Sequence, residues 1–159
     1  MANVLKVADV VDLGIEKEIA RRDFYAHVAE SFEDDALKNL FTRLKNWEAA
    51  HIKKFRAIRG KLDDVQMKES YRGELKSYMK TLVNEKLYKK VSAKSFSGAV
   101  KKPLKAIKTG IQFEKDAILF FTELLPYVQG EDKNVIEALI AEERKHILHL
   151  IGLKRKYKK

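Results

Sequence analysis

The chain has 159 residues, of which 33 are Lys or Arg and 23 are Asp or Glu, so its formal net charge is +10. It contains no cysteine, which excludes a disulfide framework, a thiolate zinc site, an iron–sulfur cluster and a cysteine nucleophile. This length is typical of one domain, and we predict a single domain over residues 1–159.

The sequence contains no membrane or secretion motif. No apolar run approaches the roughly 20 residues that span a bilayer. Residues 1–6 lack the charged and then apolar layout of a signal peptide. We therefore expect a soluble, cytoplasmic protein without a membrane partner.

Apolar residues recur at spacings of three and four from the start of the chain, a pattern typical of long helices. The first helix is predicted at about residues 8–32. A second is predicted at 35–59, with an N-cap at the Asp34-Asp35 pair and an end at Gly60. The short loop between these two helices predicts an antiparallel hairpin.

The second half of the chain predicts another pair of helices. One begins near Pro103, a residue suited to a first helical turn, and covers about 103–125 up to the break at Pro126. The other covers about 132–156. Residues 61–102 between the hairpins predict a long, partly helical crossover, so the expected fold is an all-α four-helix bundle of ferritin-like connectivity.

The two halves also repeat a pattern of polar residues. Glu48-x-x-His51 in the second predicted helix is matched by Glu143-x-x-His146 in the fourth. The first and third helices carry the matching motifs Gly14-Ile15-x-x-Glu18 and Gly110-Ile111-x-x-Glu114, and each Glu is followed at its sixth and seventh positions by an aromatic pair, Phe24-Tyr25 and Phe120-Phe121. Two Glu-x-x-His motifs in register within a repeat indicate a shared site.

The spacing of these residues predicts a dinuclear metal site. Residues three apart lie on one helix face, so each Glu-x-x-His pair points in one direction, and the surrounding apolar residues place it inside the bundle. Without bound cations, four buried carboxylates would repel one another, and most would take up protons. Two divalent cations would balance their negative charges. Oxygen and imidazole ligands suit iron or manganese, with zinc tolerated. The predicted ligands are Glu18, Glu48, His51, Glu114, Glu143 and His146.

Residues 15–25 (IEKEIARRDFY) and 114–121 (EKDAILFF) resemble the first and third helices of the rubrerythrin-like group of the ferritin-like superfamily. The resemblance extends over nearly the whole chain. It implies a cofactor of two iron ions bridged by Glu48 and Glu143. Glu18 and Glu114 would be the terminal carboxylates, and His51 and His146 would each bind one ion.

The same resemblance implies a function. It points to a di-iron oxidoreductase that reacts with hydrogen peroxide or oxygen, a peroxidase or ferroxidase, in a homodimer or larger homo-oligomer. Two alternatives stay open, an iron-binding or storage protein and a DNA-associated protector. Nucleic acid is the less favoured partner, because no interleaved aromatic and arginine pattern accompanies the basic residues.

Electron supply is expected to come from another protein. Full-length rubrerythrins also carry a rubredoxin-like domain with four cysteines, and this sequence has none. The resemblance therefore implies an external donor such as a rubredoxin. Residues 61–110 contain 13 Lys or Arg and 5 Asp or Glu. This basic segment is either a solvated surface or a docking site for an anionic partner.

Two further positions bear on the site. Tyr25 lies two turns after Glu18 on the same face, where its hydroxyl could bond a ligand carboxylate or simply pack in the core. Ala117 stands where efficient rubrerythrin peroxidases carry a further carboxylate, and the neighbouring Asp116 points away from Glu114. With six ligands instead of seven, the resemblance implies a symmetric site.

Overall fold

The structure is a computed structural model that describes residues 7–62, 77 and 102–157. These residues form four long helices and no β-strand. The helices are α1 (Val7–Ser31), α2 (Asp35–Arg59), α3 (Pro103–Leu124) and α4 (Gly130–Tyr157). A single turn of 3-10 helix, Leu125–Tyr127, follows α3. The predicted crossover falls largely outside the described residues.

The helices pack as two hairpins, α1 against α2 and α3 against α4, with fewer contacts between the hairpins. Only three residues separate α1 from α2, so the chain must reverse direction there. The prediction of an all-α four-helix bundle is confirmed. None of the described helices is long and apolar enough to cross a membrane.

The ends of the helices follow local sequence rules. The Asp34 carboxylate accepts hydrogen bonds from the backbone N–H groups of Ala36 and Leu37, at 2.9 and 3.3 Å, and so caps α2. It also accepts a hydrogen bond from the Tyr157 hydroxyl at the end of α4. Gly130 has a φ of 62°, in the left-handed region that glycine enters without strain, and α4 begins there rather than at residue 132.

Apolar side chains fill the two ends of the bundle. One buried cluster includes Val11, Phe55 and Phe121, and the other includes Phe24, Phe41 and Leu150. Between these clusters lies a layer of buried charged residues. The helices α1 and α3 approach closely here, since a Cβ atom at Gly14 would lie 2.9 Å from the Phe120 ring.

Candidate metal centre

The central layer of the bundle contains all six of the ligands predicted from the sequence. Each of the four helices contributes to it, and every one of these residues is at most 3% exposed. The residues are Glu18 from α1, Glu48 and His51 from α2, Glu114 from α3, and Glu143 and His146 from α4. The structure therefore brings together residues that lie up to 128 positions apart in the sequence.

The ligand atoms form two overlapping groups of four residues, and a third group joins His51, Glu143 and His146. In each group, one donor atom from every residue lies within 4.8 Å of the others. We call the two groups of four the Glu18/His51 position (Glu18, Glu48, His51, Glu143) and the Glu114/His146 position (Glu48, Glu114, Glu143, His146). Glu48 and Glu143 belong to both positions, as the bridging assignment requires.

The donor atoms of this cluster lack the partners that buried polar atoms normally have. In the described part of the chain, eight buried side-chain nitrogen and oxygen atoms make no hydrogen bond of acceptable geometry. Seven of the eight belong to predicted ligands, including both carboxylate oxygens of Glu18 and of Glu143. Carboxylate oxygens and imidazole nitrogens are donors that iron and manganese accept, so the residues present fit a metal cluster.

Both histidines turn the same ring nitrogen toward the carboxylates. The Nδ1 atom of His51 lies 2.7 Å from Glu143 Oε1, and the Nδ1 atom of His146 lies 3.2 Å from Glu48 Oε1. On the outer side, the Nε2 atom of His51 lies 2.5 Å from Glu142 Oε2. A carboxylate on the far nitrogen of a histidine fixes the orientation of the ring toward a metal.

Arg21 is a buried cation inside the cluster that the sequence analysis missed. Its side chain is fully buried, and it forms ion pairs with Glu18, with Glu48 Oε2 at 3.2 Å and with Glu143 Oε2 at 3.7 Å. Its Nη1 atom donates to the backbone carbonyl of Phe113 at 3.1 Å. The spacing offered a clue, because Arg21 lies three residues after Glu18 and hence on the same helix face.

Two of the four carboxyl groups have a pKa above the ordinary value. For Glu18 and Glu114, desolvation is the largest cause, and the negative charges of Glu48 and Glu143 add to it. The nearby positive charge of Arg21 offsets only part of this increase. Both pKa values lie well above the ordinary 4.5 in the absence of metal.

The other two carboxyl groups shift in the opposite direction. Burial, the largest single influence, raises the pKa of Glu48, but the charge of Arg21 and hydrogen bonds from both histidines bring it well below 4.5. Burial likewise raises the pKa of Glu143, while the charge of Arg21 and close polar contacts with Glu114 and His146 lower it to about 2. The two pairs of carboxyl groups therefore shift in opposite directions, because Arg21 and the histidines offset the effect of burial at Glu48 and Glu143.

The histidines hold their protons firmly without metal. Burial lowers the pKa of each, but hydrogen bonds to the glutamates more than compensate. The pKa of His51 rises to about 11 and that of His146 to about 12. Metal ions bind imidazole and carboxylate in their deprotonated forms, so loading this cluster must release protons.

The Tyr25 hydroxyl contacts a predicted ligand on α3, although its role was predicted from its spacing to Glu18 on α1. Its hydroxyl donates a hydrogen bond of 2.6 Å to Glu114 Oε1, across the interface between α1 and α3. Burial and the charge of Glu114 raise the pKa of Tyr25 well above 10, so the hydroxyl keeps its proton. Its position in the repeat is occupied by Phe121 in the second half, which has no hydroxyl.

Two residues outside the predicted set contact the histidines. Trp47 stacks on His146 with ring centroids 4.9 Å apart, so it does more than fill space. Glu142, described above, bonds His51. Both could have been found from the repeat, because each immediately precedes the Glu of a Glu-x-x-His motif.

A pocket of about 300 Å³ approaches the cluster from the surface. Its walls include both histidines, Trp47, Glu142 and His149, with Lys54 and Lys145 also lining it. The outer edges of the imidazoles therefore face a space that a small molecule can enter.

The position of the absent seventh carboxylate is occupied by Ala117, which is buried. Asp116 points elsewhere and pairs with the buried Lys17 at 2.6 Å. The predicted symmetry does not extend beyond the ligands, since Arg21 contacts Glu18 whereas its counterpart in the repeat is Ala117.

Comparisons with known proteins agree with this architecture and donor set. The described fold matches a crystal structure at 2.30 Å resolution from Thermotoga maritima, described provisionally as a ferritin-like diiron-carboxylate protein. That match has a TM-score of 0.69 and 19% identity, and it covers 99% of this chain and 100% of the other. The fold is thus a ferritin-like four-helix bundle.

The family follows from the sequence itself. The rubrerythrin family profile matches residues 9–154, so the chain belongs to the rubrerythrin family. A search of curated protein sequences found no significant match. The buried carboxylate and histidine cluster suits a di-iron protein.

Proposed function

We propose that this protein is a non-haem di-iron oxidoreductase that reacts with hydrogen peroxide or oxygen, as a peroxidase or ferroxidase. The observation that carries the proposal is the overlap of the two ligand groups at Glu48 and Glu143. Two shared carboxylates hold a pair of metal ions close together. Glu18 and His51 would complete one position, and Glu114 and His146 the other.

A pair of ferrous ions, when bound, supplies the two electrons that reduce a peroxide or begin to reduce oxygen. The residues of the chain hold and orient this centre. The Tyr25 hydroxyl orients Glu114, and Glu142 orients the ring of His51. The apolar clusters at both ends of the bundle exclude bulk water, and the pocket beside Trp47 is the proposed entry path.

We also propose the partners that the resemblance implies. An external protein such as a rubredoxin would supply electrons, because no residue of these 159 is a cysteine. The protein would act as a homodimer or larger homo-oligomer. Donor docking on the basic segment would involve Lys89, Lys90 and Lys101, which lie outside the described residues, together with Lys102.

The test is metal analysis followed by stopped-flow kinetics. Protein loaded with ferrous iron without oxygen should be oxidised by peroxide or by oxygen once, and sustained peroxide turnover should need an added donor. Glu48→Ala should abolish the reaction, whereas Glu137→Ala, which changes an exposed carboxylate of α4, should not. No oxidation of bound iron by either oxidant would contradict the proposal.

Two further measurements separate the alternatives. A cage-sized particle that accumulates a mineral core would favour iron storage, since a dimer stores almost nothing. Binding to duplex DNA that weakens steeply with added salt would favour a DNA-associated protector.

A further inference from the structure

Arg21 contacts more ligands of one metal position than of the other. Its guanidinium contacts Glu18, Glu48 and Glu143, which are three of the four members of the Glu18/His51 position. Within the described residues, neither Glu114 nor His146 is an ion-pair partner of Arg21. The guanidinium thus meets both shared carboxylates from the Glu18 side.

The guanidinium and a metal ion at this position compete for the same oxygens. A divalent ion binds a carboxylate oxygen at about 2.0–2.2 Å, and the carboxylates of this position are the ones that Arg21 contacts. The side chain is fully buried, so the guanidinium cannot move toward solvent without a change in the packing around it. Its bond to the Phe113 carbonyl further holds it in place.

The second half of the repeat has no arginine at the place of Arg21. The corresponding residue of the repeat is Ala117, which leaves the carboxylate of Glu114 to Tyr25 and His146. The Tyr25 hydroxyl is neutral, and the His146 imidazole is also neutral once a metal ion has displaced its proton. Arg21 therefore pairs with the terminal carboxylate of the Glu18/His51 position, whereas at the Glu114/His146 position it pairs only with the two shared carboxylates.

We propose that Arg21 is a built-in cation that makes the two metal positions unequal. The first ion binds at the Glu114/His146 position while Arg21 stays in place. The second ion binds at the Glu18/His51 position only when the guanidinium leaves Glu18, Glu48 and Glu143. This inference rests on the proposed di-iron site, and it makes the protein a stepwise binder that passes through a stable form with one ion and one guanidinium.

The test uses Mn²⁺, which binds the same donors and is counted by elemental analysis and by electron paramagnetic resonance. The metal-free protein is titrated by equilibrium dialysis. The second ion should bind at least about tenfold more weakly than the first, and a spin-coupled pair should form only in the second phase. In crystals grown with one equivalent, anomalous scattering should place the ion beside Glu114 and His146.

The matched variants are Arg21→Gln and Arg22→Gln. Arg22 is the next residue, is partly exposed and pairs with Asp23, so its replacement should leave the two-phase titration unchanged. In Arg21→Gln, the ratio of the first to the second Mn²⁺ affinity should decrease by about tenfold or more. If Arg21→Gln does not fold, the pair Glu18→Gln and Glu114→Gln replaces it. Glu18→Gln should weaken the second binding phase, and Glu114→Gln the first.

The outcomes separate this inference from the proposed function. Equal affinities of the two ions in the unaltered protein would overturn the role of Arg21 and leave the di-iron site intact. A first ion located beside Glu18, or an unchanged affinity ratio in Arg21→Gln, would also overturn it. Failure to bind any Mn²⁺ would overturn both the inference and the proposed site.

Discussion

The Glu18/His51 and Glu114/His146 positions offer the same types of donor atom but have different neighbours. Three residues after the first glutamate, one half has Arg21 and the other Ala117. Seven residues after it, one half has a tyrosine and the other a phenylalanine. The two halves of the repeat thus share the ligand residues but differ in the residues around them.

Because of this difference, the two terminal glutamates have different polar partners. Glu18 pairs with a permanent cation, whereas Glu114 accepts a hydrogen bond from a neutral hydroxyl. Both pKa values are nevertheless raised, because burial is the dominant cause in each case. The two halves therefore shift the pKa of their glutamate in the same direction. They differ in how readily each glutamate can bind a further cation.

The largest expected effect comes from the carboxylates that the two halves share. Glu48→Ala or Glu143→Ala should remove both ions, because each belongs to both ligand groups. His51→Ala should weaken mainly the ion at its own position. Metal content after dialysis measures this, with Glu137→Ala as the control. Full occupancy of both positions in Glu48→Ala would show that the bridging assignment is wrong.

The next effect tests what Arg21 contributes before metal binds. Arg21→Ala makes the first half like the second and leaves three buried carboxyl groups without their cation. Breaking a buried ion pair costs about 3–5 kcal/mol, and we expect the unfolding free energy of the metal-free protein to fall by that amount. Denaturant unfolding with a chelator measures it, and Arg22→Ala is the control. A loss below about 1 kcal/mol, the value of a surface pair, would contradict the prediction.

The pH dependence of stability tests both halves at once. The pKa values of His51 and His146 rise from 6.5 to about 11 and about 12, so above pH 6.5 the folded metal-free protein binds more protons than the unfolded chain. Its stability therefore decreases as pH rises from 6.5 toward 11, and the raised pKa values of Glu18 and Glu114 act in the same direction from 4.5 upward.

Bound metal should reverse this trend. Protons compete with metal for the ligands, so the stabilisation by Mn²⁺ should increase with pH. Melting temperatures with chelator and with Mn²⁺, measured between about pH 6 and about pH 8.5, should diverge as the pH rises. Parallel curves would show that the ligands do not exchange protons for metal.

The smallest expected effect concerns the hydroxyl that distinguishes the Glu114/His146 position. Tyr25→Phe copies Phe121 of the other half and removes the bond to Glu114. An unpaired buried acceptor costs about 1–3 kcal/mol, and metal affinity at this position should fall by about tenfold or more. Thermal unfolding and Mn²⁺ titration measure these, with Tyr127→Phe as the control. If Tyr25→Phe weakened only the second binding phase, Tyr25 would act on the Glu18/His51 position, which would contradict the prediction.

The helices and the clustering of the six candidate ligands were predictable because both depend on local sequence. The α2 range of 35–59 matches Asp35–Arg59, since an N-cap at Asp34 and the break at Gly60 are read within one segment. The six candidate ligands were found through the internal repeat, which needs no knowledge of how the helices pack. The start of α4 was predicted two residues late, because Gly130 adopts a left-handed conformation that periodicity does not show.

The sequence by itself determined four amphipathic helices and a duplicated set of metal donors, because spacing along one helix decides which residues share its face. Only the tertiary structure decided that Arg21 meets Glu48 and Glu143, and that Tyr25 bonds Glu114 rather than a residue of its own helix. These contacts cross between helices, so they depend on the axial position and rotation of each helix. Those are set by how the two apolar clusters pack, and no spacing within one helix encodes them.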